Sequence, residues 1–104
     1  MPITPHLSHD LTGQTALVTG TTSGLGRRFA AVLSACGAKV AIAGRRVERL
    51  EELAAEIRAD GGEVMPVQLD VTDTDALFEA VAHVQEAMGP IQILVNNAGI
   101  PDAK

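Results

Sequence analysis

Short apolar runs alternate along the chain with longer segments in which apolar residues recur every three or four positions. The apolar runs are Thr15 to Val18, Lys39 to Ala43, Glu63 to Leu69 and Ile91 to Val95. Runs of this length that are apolar throughout are typical of strands covered on both faces of a parallel sheet. The intervening segments have the spacing of amphipathic helices. The pattern therefore predicts the element order β-α-β-α-β-α-β.

Each predicted helix has one apolar face and an identifiable end. Glycines end the three helices, at Gly37, at Gly61-Gly62 and at Gly89-Pro90, and Thr72 with Asp75 forms a weak capping box for the third helix. The predicted buried faces are Leu25, Phe29, Val32, Leu33 and Cys36 in the first helix, Leu50, Leu53, Ala54 and Ile57 in the second (47–60), and Leu77, Val81, Val84 and Met88 in the third.

Alternating strands and helices of this kind form an α/β fold with helices on both faces of a parallel sheet. We expect a Rossmann-like, doubly wound sheet with strand order 3-2-1-4, and we expect this chain to stop after its fourth strand. Pro66 lacks a backbone N–H, which favours an edge position for the third strand. Residues 1–13 are predicted to form an irregular leader, and residues 14–104 an incomplete dinucleotide-binding domain.

A glycine-rich turn joins the first strand to the first helix. Gly20, Gly24 and Gly26 have the spacing G-x-x-x-G-x-G. The N-terminus of a helix offers unpaired N–H groups and the positive end of the helix dipole, so this turn is a candidate phosphate site. The alternative is a tight turn whose glycines serve packing alone.

Four segments that follow predicted strands share one edge of the expected sheet. They are Thr19 to Gly26, Gly44 to Arg46, Asp70-Val71 and Asn96 to Gly99. In open α/β sheets, ligands bind at the carboxyl ends of strands beside the point where strand order reverses. The sequence therefore predicts one binding crevice formed by all four segments.

Composition excludes several other functions. The net charge of −5 and the absence of a long basic run argue against nucleic-acid binding. Cys36 is the only cysteine, and His6 with His9 lacks a third ligand, so no disulfide or metal site is expected. No apolar stretch is long enough to span a membrane, and the first residues lack the features of a secretory signal. We therefore expect a cytoplasmic protein.

Three segments together resemble the short-chain dehydrogenase/reductase family. TGTTSGLG (Thr19 to Gly26) is similar to the cofactor turn of that family, NNAG (Asn96 to Gly99) to its fourth-strand signature, and Asp70-Val71 to its adenine-contacting pair. The resemblance extends from about Leu11 to the end of the chain. It implies an oxidoreductase that transfers hydride between NAD(P) and a carbonyl or hydroxyl substrate, and assembly into homo-oligomers.

The resemblance also implies a role for each residue of these motifs. The glycine-rich turn would hold the pyrophosphate and the neighbouring ribose, Asp70 would accept from the adenine amino group, and the Val71 backbone would pair with the ring. The segment after the fourth strand would line the adenosine ribose and the path to the nicotinamide. The implied cofactor-binding residues are Gly20, Thr22, Ser23, Gly24, Leu25, Gly26, Asp70, Val71, Asn97, Ala98 and Gly99. For Asn96, a structural role that ties the fourth strand to its neighbours has equal weight.

The choice between NAD and NADP depends on the end of the second strand. A carboxylate there would bind both ribose hydroxyls and repel a 2′-phosphate, but Gly44 occupies that position. Arg45 and Arg46 follow, and guanidinium groups bind phosphate in bidentate fashion. We therefore expect NADP as the cofactor; the alternative is that Arg46 pairs with acidic residues of the second helix.

No catalytic residue is predicted within these 104 residues. The chemistry of the family uses a Ser and a Tyr-x-x-x-Lys motif downstream of NNAG, and this chain contains no tyrosine. We therefore expect the chain to be inactive alone, and its open fourth strand to promote self-association. Three hypotheses follow: the cofactor-binding half of an NADP-dependent reductase, a non-catalytic dinucleotide-binding module, or an inactive fragment.

Overall fold

The computed structural model describes residues 10–20 and 24–96. Within these residues the chain alternates between four strands and three helices, as the pattern predicts. The elements are β1 (Thr15–Thr19), α1 (Gly24–Ala35), β2 (Lys39–Gly44), α2 (Val47–Ala59), β3 (Val64–Gln68), α3 (Thr74–Met88) and β4 (Ile91–Asn96). Each bound lies within a few residues of the predicted one.

The four strands form one parallel sheet in the order β3-β2-β1-β4. This arrangement confirms the predicted topology, with β1 and β2 in the interior. β3 lies at one edge of the sheet, so the missing backbone N–H of Pro66 does not interrupt the hydrogen bonds between two inner strands. All five residues of β1 are buried, in keeping with a central strand that is covered on both faces.

Helices cover both faces of the sheet. On one face, α1 and α2 pack against the buried side chains of β1 and β2. The helix residues in this cluster are Ala30, Leu50, Leu53, Ala54 and Ile57. On the other face, Ala80, Val84 and Met88 of α3 pack against Leu17, Ala41 and Ala43. The predicted buried face of α2 is confirmed at all four positions. In α3, Leu77 and Val81 are partly buried against the same cluster.

The predicted buried face of α1 is wrong at three of its five positions, while Leu33 and Cys36 are partly buried. Gly26 and Ala30 are the buried residues of this helix, and Leu33 packs against the core from its border. Leu25 and Val32 are 56% and 53% exposed, and Phe29 also lies on the surface. Small side chains let the helix backbone approach the sheet closely, so α1 contacts the sheet through its glycine and alanine. Leu25, Phe29 and Val32 therefore face outward.

The fourth strand is an edge strand, as the predicted strand order requires, so its apolar side chains are less buried than those of an inner strand. β1 is its one neighbour in the sheet, and Leu94 is 62% exposed. The register between β1 and β4 shifts after Thr15, which pairs with Ile91, while Ala16 pairs with Ile93. Residues two apart in a regular strand share one face of the sheet. Because of this irregularity, Ile91 instead packs on the α3 face and Ile93 on the α1 face.

The start of α3 also differs from the prediction. Asp73, not Thr72, is the N-cap residue, and its carboxylate accepts a hydrogen bond from the Ala76 amide. The Thr72 hydroxyl donates to Asp70 at 2.7 Å, and Thr72 itself lies one residue before the N-cap position.

Helix ends are fixed by glycine and by side chains from the sheet. Gly37 has a φ of 101°, and the Ala38 amide donates to the Leu33 carbonyl, which confirms the predicted end of α1. At the end of α3, the Met88 carbonyl accepts from both the Thr15 hydroxyl and the Lys39 ammonium. None of the helices in the described ranges is both long enough and apolar enough to cross a membrane.

Candidate dinucleotide site

The ends of the four strands lie side by side at the carboxyl edge of the sheet. Thr19 at the end of β1 pairs with Ala43 of β2 and with Asn96 of β4. Gly44 at the end of β2 pairs in turn with Gln68 of β3. The segments that follow these strands, including Gly20, Arg45 and Asp70, therefore leave the sheet from one edge.

The glycine-rich turn enters α1 from this edge. Gly20 has a φ of 71°, a conformation that a residue with a side chain rarely adopts. Gly24 is the first residue of α1, and within the described ranges a Cβ added there would meet no atom from elsewhere in the fold within 4 Å. Gly26 is buried against the sheet, and Leu25 points outward. Thr22 and Ser23, which the sequence also assigns to this turn, lie outside the described residues.

Gly24 differs from a glycine that the packing of the fold requires. A Cβ on Gly62, at the end of α2, would lie 2.6 Å from Cγ2 of Ile57, so the fold itself excludes a side chain there. At Gly24 no atom of the described residues excludes one. The absence of a side chain at Gly24 keeps clear the space in front of the first amides of α1.

Asp70 is held in a compact turn directly after β3. Its Oδ1 atom accepts from the Thr72 amide at 3.0 Å and from the Thr72 hydroxyl at 2.7 Å. The Thr72 hydroxyl, then the Thr72 amide and more weakly the positive charge of Arg45 hold the pKa of the Asp70 carboxyl below its usual value. Because both bonds use Oδ1, the Oδ2 atom remains available to a donor from a ligand. Val71 beside it is half-buried.

Arg45 and Arg46 connect β2 to α2, and both are exposed. Among the described residues neither forms an ion pair, whereas Arg27 of α1 binds Glu56 of α2 at 2.9 Å. The alternative in which Arg46 pairs with acidic residues of α2 therefore finds no support. Arg46 is also the N-cap residue of α2, and no side chain caps that helix. An anion at this point would find two unpaired guanidinium groups and a helix N-terminus.

At the end of β4, Asn96 ties the strand to its neighbour. The Thr19 hydroxyl donates to Oδ1 of Asn96 at 2.9 Å, and it also lies 3.4 Å from the Val95 carbonyl. This contact favours the structural role for Asn96. Asn97, Ala98 and Gly99 lie outside the described residues.

Two residues of this edge were missed by sequence reasoning. Thr72 fixes the Asp70 carboxylate, and the pattern Asp-x-Thr after a strand is a turn signal from which that contact is predictable. Gln68 donates from Nε2 to the Arg45 carbonyl at 3.3 Å. No sequence signal indicates this second contact, because it joins two strands whose register the sequence does not specify.

The fold and the carboxyl-edge site define a dinucleotide-binding α/β protein, and comparison with known proteins identifies its family. The family model described as short chain dehydrogenase matches residues 14–104. The chain belongs to this family.

Relatives and solved structures agree with that assignment. Gluconate 5-dehydrogenase of Gluconobacter oxydans is 43% identical over 90 residues, which cover 86% of this chain and 35% of that protein. A metagenomic short-chain oxidoreductase solved in complex with NADP has a TM-score of 0.83 and 40% identity, over 88% of this chain and 41% of that one. An actinorhodin polyketide ketoreductase variant solved with NADPH has a TM-score of 0.80 and 40% identity, over 85% of this chain and 34% of that one. The chain spans about a third of the length of the curated relatives it matches.

Proposed function

We propose that this chain binds NADP at the carboxyl edge of its sheet and forms the cofactor-binding part of a reductase or dehydrogenase. When bound, NADP(H) supplies or accepts a hydride, and the substrate we propose is a small molecule with a carbonyl or hydroxyl group. The pair of unpaired guanidinium groups at Arg45 and Arg46 is the observation that carries the choice of NADP.

The residues present fit the proposed cofactor part by part. The clear space at Gly24 and the first amides of α1 suit a diphosphate, which the positive end of the helix dipole would attract. The ionised Asp70 carboxylate, held through Oδ1, suits the amino group of adenine. Gly44 carries no carboxylate that would repel a 2′-phosphate. Thr22, Ser23, Asn97, Ala98 and Gly99 complete the proposed site from the sequence.

The chain's own residues are proposed to bind and orient the cofactor, and not to exchange protons with the substrate. The sequence contains no tyrosine, and His83 lies on the exposed side of α3. We therefore propose that these 104 residues alone do not turn over substrate. Assembly into homo-oligomers and a cytoplasmic location remain predictions.

The test of the proposed function is the affinity for NADPH and NADH before and after Arg45→Asp. We expect wild-type protein to prefer NADPH. One charged hydrogen bond contributes about 1.5–3 kcal/mol, so we expect the substitution to reduce that preference by at least about tenfold. Fluorescence of the bound reduced nicotinamide gives both dissociation constants.

Arg58→Asp is the matched control. It makes the same charge change near the other end of α2, about 20 Å away at 1.5 Å per residue, which exceeds the Debye length of about 8 Å at physiological ionic strength. Equal affinity for both nucleotides in the wild-type protein, or the same loss in both variants, would refute the assignment of NADP.

A further inference from the structure

The segment between β2 and α2 consists of two arginines whose side chains form no ion pair among the described residues. Arg45 and Arg46 alone separate Gly44 from Val47. The directions of their side chains therefore depend on how the backbone of this short segment is held. Two bonds hold its carbonyls: the Leu50 amide donates to the Arg46 carbonyl at 3.1 Å, and Nε2 of Gln68 donates to the Arg45 carbonyl at 3.3 Å.

Sheet register explains why Gln68 reaches this carbonyl. Gln68 is the last residue of β3 and pairs with Gly44, the last residue of β2. The Leu69 amide donates to the Gly44 carbonyl at 2.8 Å, which fixes the two strand ends against each other. The Gln68 side chain then extends one residue farther along the neighbouring strand. Its amide holds the peptide group that joins Arg45 to Arg46.

Orientation of this peptide group matters for both arginines. It sets where the Cα–Cβ bond of each residue points, and a segment held before binding loses less conformational freedom when a ligand arrives. A contact of this kind favours whichever ligand group the two guanidiniums bind. It has little effect on ligand groups bound elsewhere on the sheet edge.

We propose that Gln68 is a positioning residue that increases selectivity for the 2′-phosphate of NADP by holding the peptide between Arg45 and Arg46. This inference rests on the proposed function. The neutral carboxamide suits the role because it donates to the carbonyl without placing a negative charge beside the phosphate. A glutamate at this position would lack the donor and add the charge.

Two substitutions separate these effects, and dissociation constants for NADPH and NADH measure them. Gln68→Met keeps the length of the side chain and removes the donor. We expect the preference for NADPH over NADH to fall by about threefold to tenfold, the range that loss of one hydrogen bond produces. Gln68→Glu should reduce the preference further. NADH affinity should stay nearly constant in Gln68→Met.

Gln92→Met is the matched control. Gln92 is also an exposed glutamine on an edge strand, but it lies on β4 near the amino end of the sheet, where its Oε1 accepts from the Thr15 amide. Thermal melting of each variant checks that it remains folded. In the protein without nucleotide, the chemical shift of the Arg46 amide nitrogen reports the hydrogen bond on the preceding carbonyl. This chemical shift should change in both Gln68 variants and not in Gln92→Met.

Each result decides the inference. A reduced preference in both Gln68 variants, with Gln92→Met unchanged, supports it. An unchanged preference in Gln68→Met, while Arg45→Asp abolishes the preference, overturns the inference and leaves the proposed function intact. Equal losses of NADPH and NADH affinity assign Gln68 a general structural role and also overturn it. A wild-type protein that binds both nucleotides equally overturns the proposed function and this inference together.

Discussion

Gly24 and Gly62 show how two glycines near helix ends meet different requirements. A Cβ at Gly62 would collide with Ile57, whereas a Cβ at Gly24 would enter open space. Packing therefore explains the first glycine, and it does not explain the second. The proposed diphosphate, approaching the first turn of α1, would account for it.

The first prediction concerns Gly24→Ala. The substitution restricts the unfolded chain without a clash in the folded one, so the free energy of unfolding should rise by about 0.5 kcal/mol. The added methyl group should weaken NADPH binding by about fivefold to a hundredfold, as overpacking by about 1–3 kcal/mol would. Urea unfolding and nucleotide titration measure the two effects.

Gly62→Ala serves as the contrast and should lower the free energy of unfolding by about 1–3 kcal/mol. Full NADPH affinity in Gly24→Ala would contradict the proposed diphosphate site.

The second prediction concerns the ionisation of Asp70. The Thr72 hydroxyl is the main cause of the lowered pKa of this carboxyl, so Thr72→Val should raise that pKa toward its usual value. Because the lowered pKa belongs to the folded state, its stabilising effect is present above the usual pKa. The effect is lost as pH falls through the lowered value. Nuclear magnetic resonance titration of the Asp70 carboxyl carbon measures the midpoint. Thr74→Val, at the exposed start of α3, should leave it unchanged; equal midpoints in wild type and Thr72→Val would contradict the assignment.

Among the elements, α3 ends against two side chains that come from the sheet. The Met88 carbonyl accepts from the Thr15 hydroxyl at 2.8 Å and from the Lys39 ammonium at 2.5 Å. A cation at a helix C-terminus also interacts favourably with the helix dipole. β1 and β2 thereby fix the end of the helix that packs on the opposite face from α1 and α2.

The third prediction tests this helix end. Lys39→Met keeps much of the side-chain length and removes the charged donor, so it should lower the free energy of unfolding by about 1–2 kcal/mol. Urea unfolding measures the change. Arg28→Met removes a charge from the exposed side of α1 and should change the free energy of unfolding by less than about 0.5 kcal/mol. Equal effects of the two substitutions would show that the contact at Met88 does not stabilise α3.

At the scale of the whole molecule, the two edge strands of the sheet differ in how readily each could pair with another strand. β3 carries Pro66 at one edge, while at the other edge β4 exposes Leu94 and has no second neighbour among the described strands. Phe78 of α3 lies on the same face of the sheet as Leu94 and is 68% exposed. An apolar edge strand of this kind is a template for pairing with a second strand.

The fourth prediction is that the isolated chain associates with itself through β4. Its melting temperature should depend on protein concentration, and sedimentation velocity should detect species larger than the monomer. Leu94→Lys should reduce both effects because a charged edge opposes strand pairing. Val47→Lys changes another exposed apolar residue, at the start of α2, and should reduce neither effect. A sharp, reversible melt independent of concentration would contradict the prediction.

Sequence alone determined the order of the elements, the strand order and the edge on which the candidate site lies. These features follow from local pattern: the period of apolar residues, the glycines after helices and the restricted ways in which parallel strands connect. Pro66 indicated the edge position of β3 for the same kind of reason. The sequence could place the segments after the strands together because parallel strands all end on one side of the sheet.

Tertiary structure alone decided which side of a helix is buried and which side chains meet across strands. The apolar stripe of α1 gave the wrong face, because the approach of helix to sheet favours Gly26 and Ala30 over the larger Leu25 and Val32. The contact of Gln68 with the Arg45 carbonyl depends on the register of β2 and β3, which no local pattern specifies. Packing and register are properties of how elements meet, so they are decided only when the whole sheet is assembled.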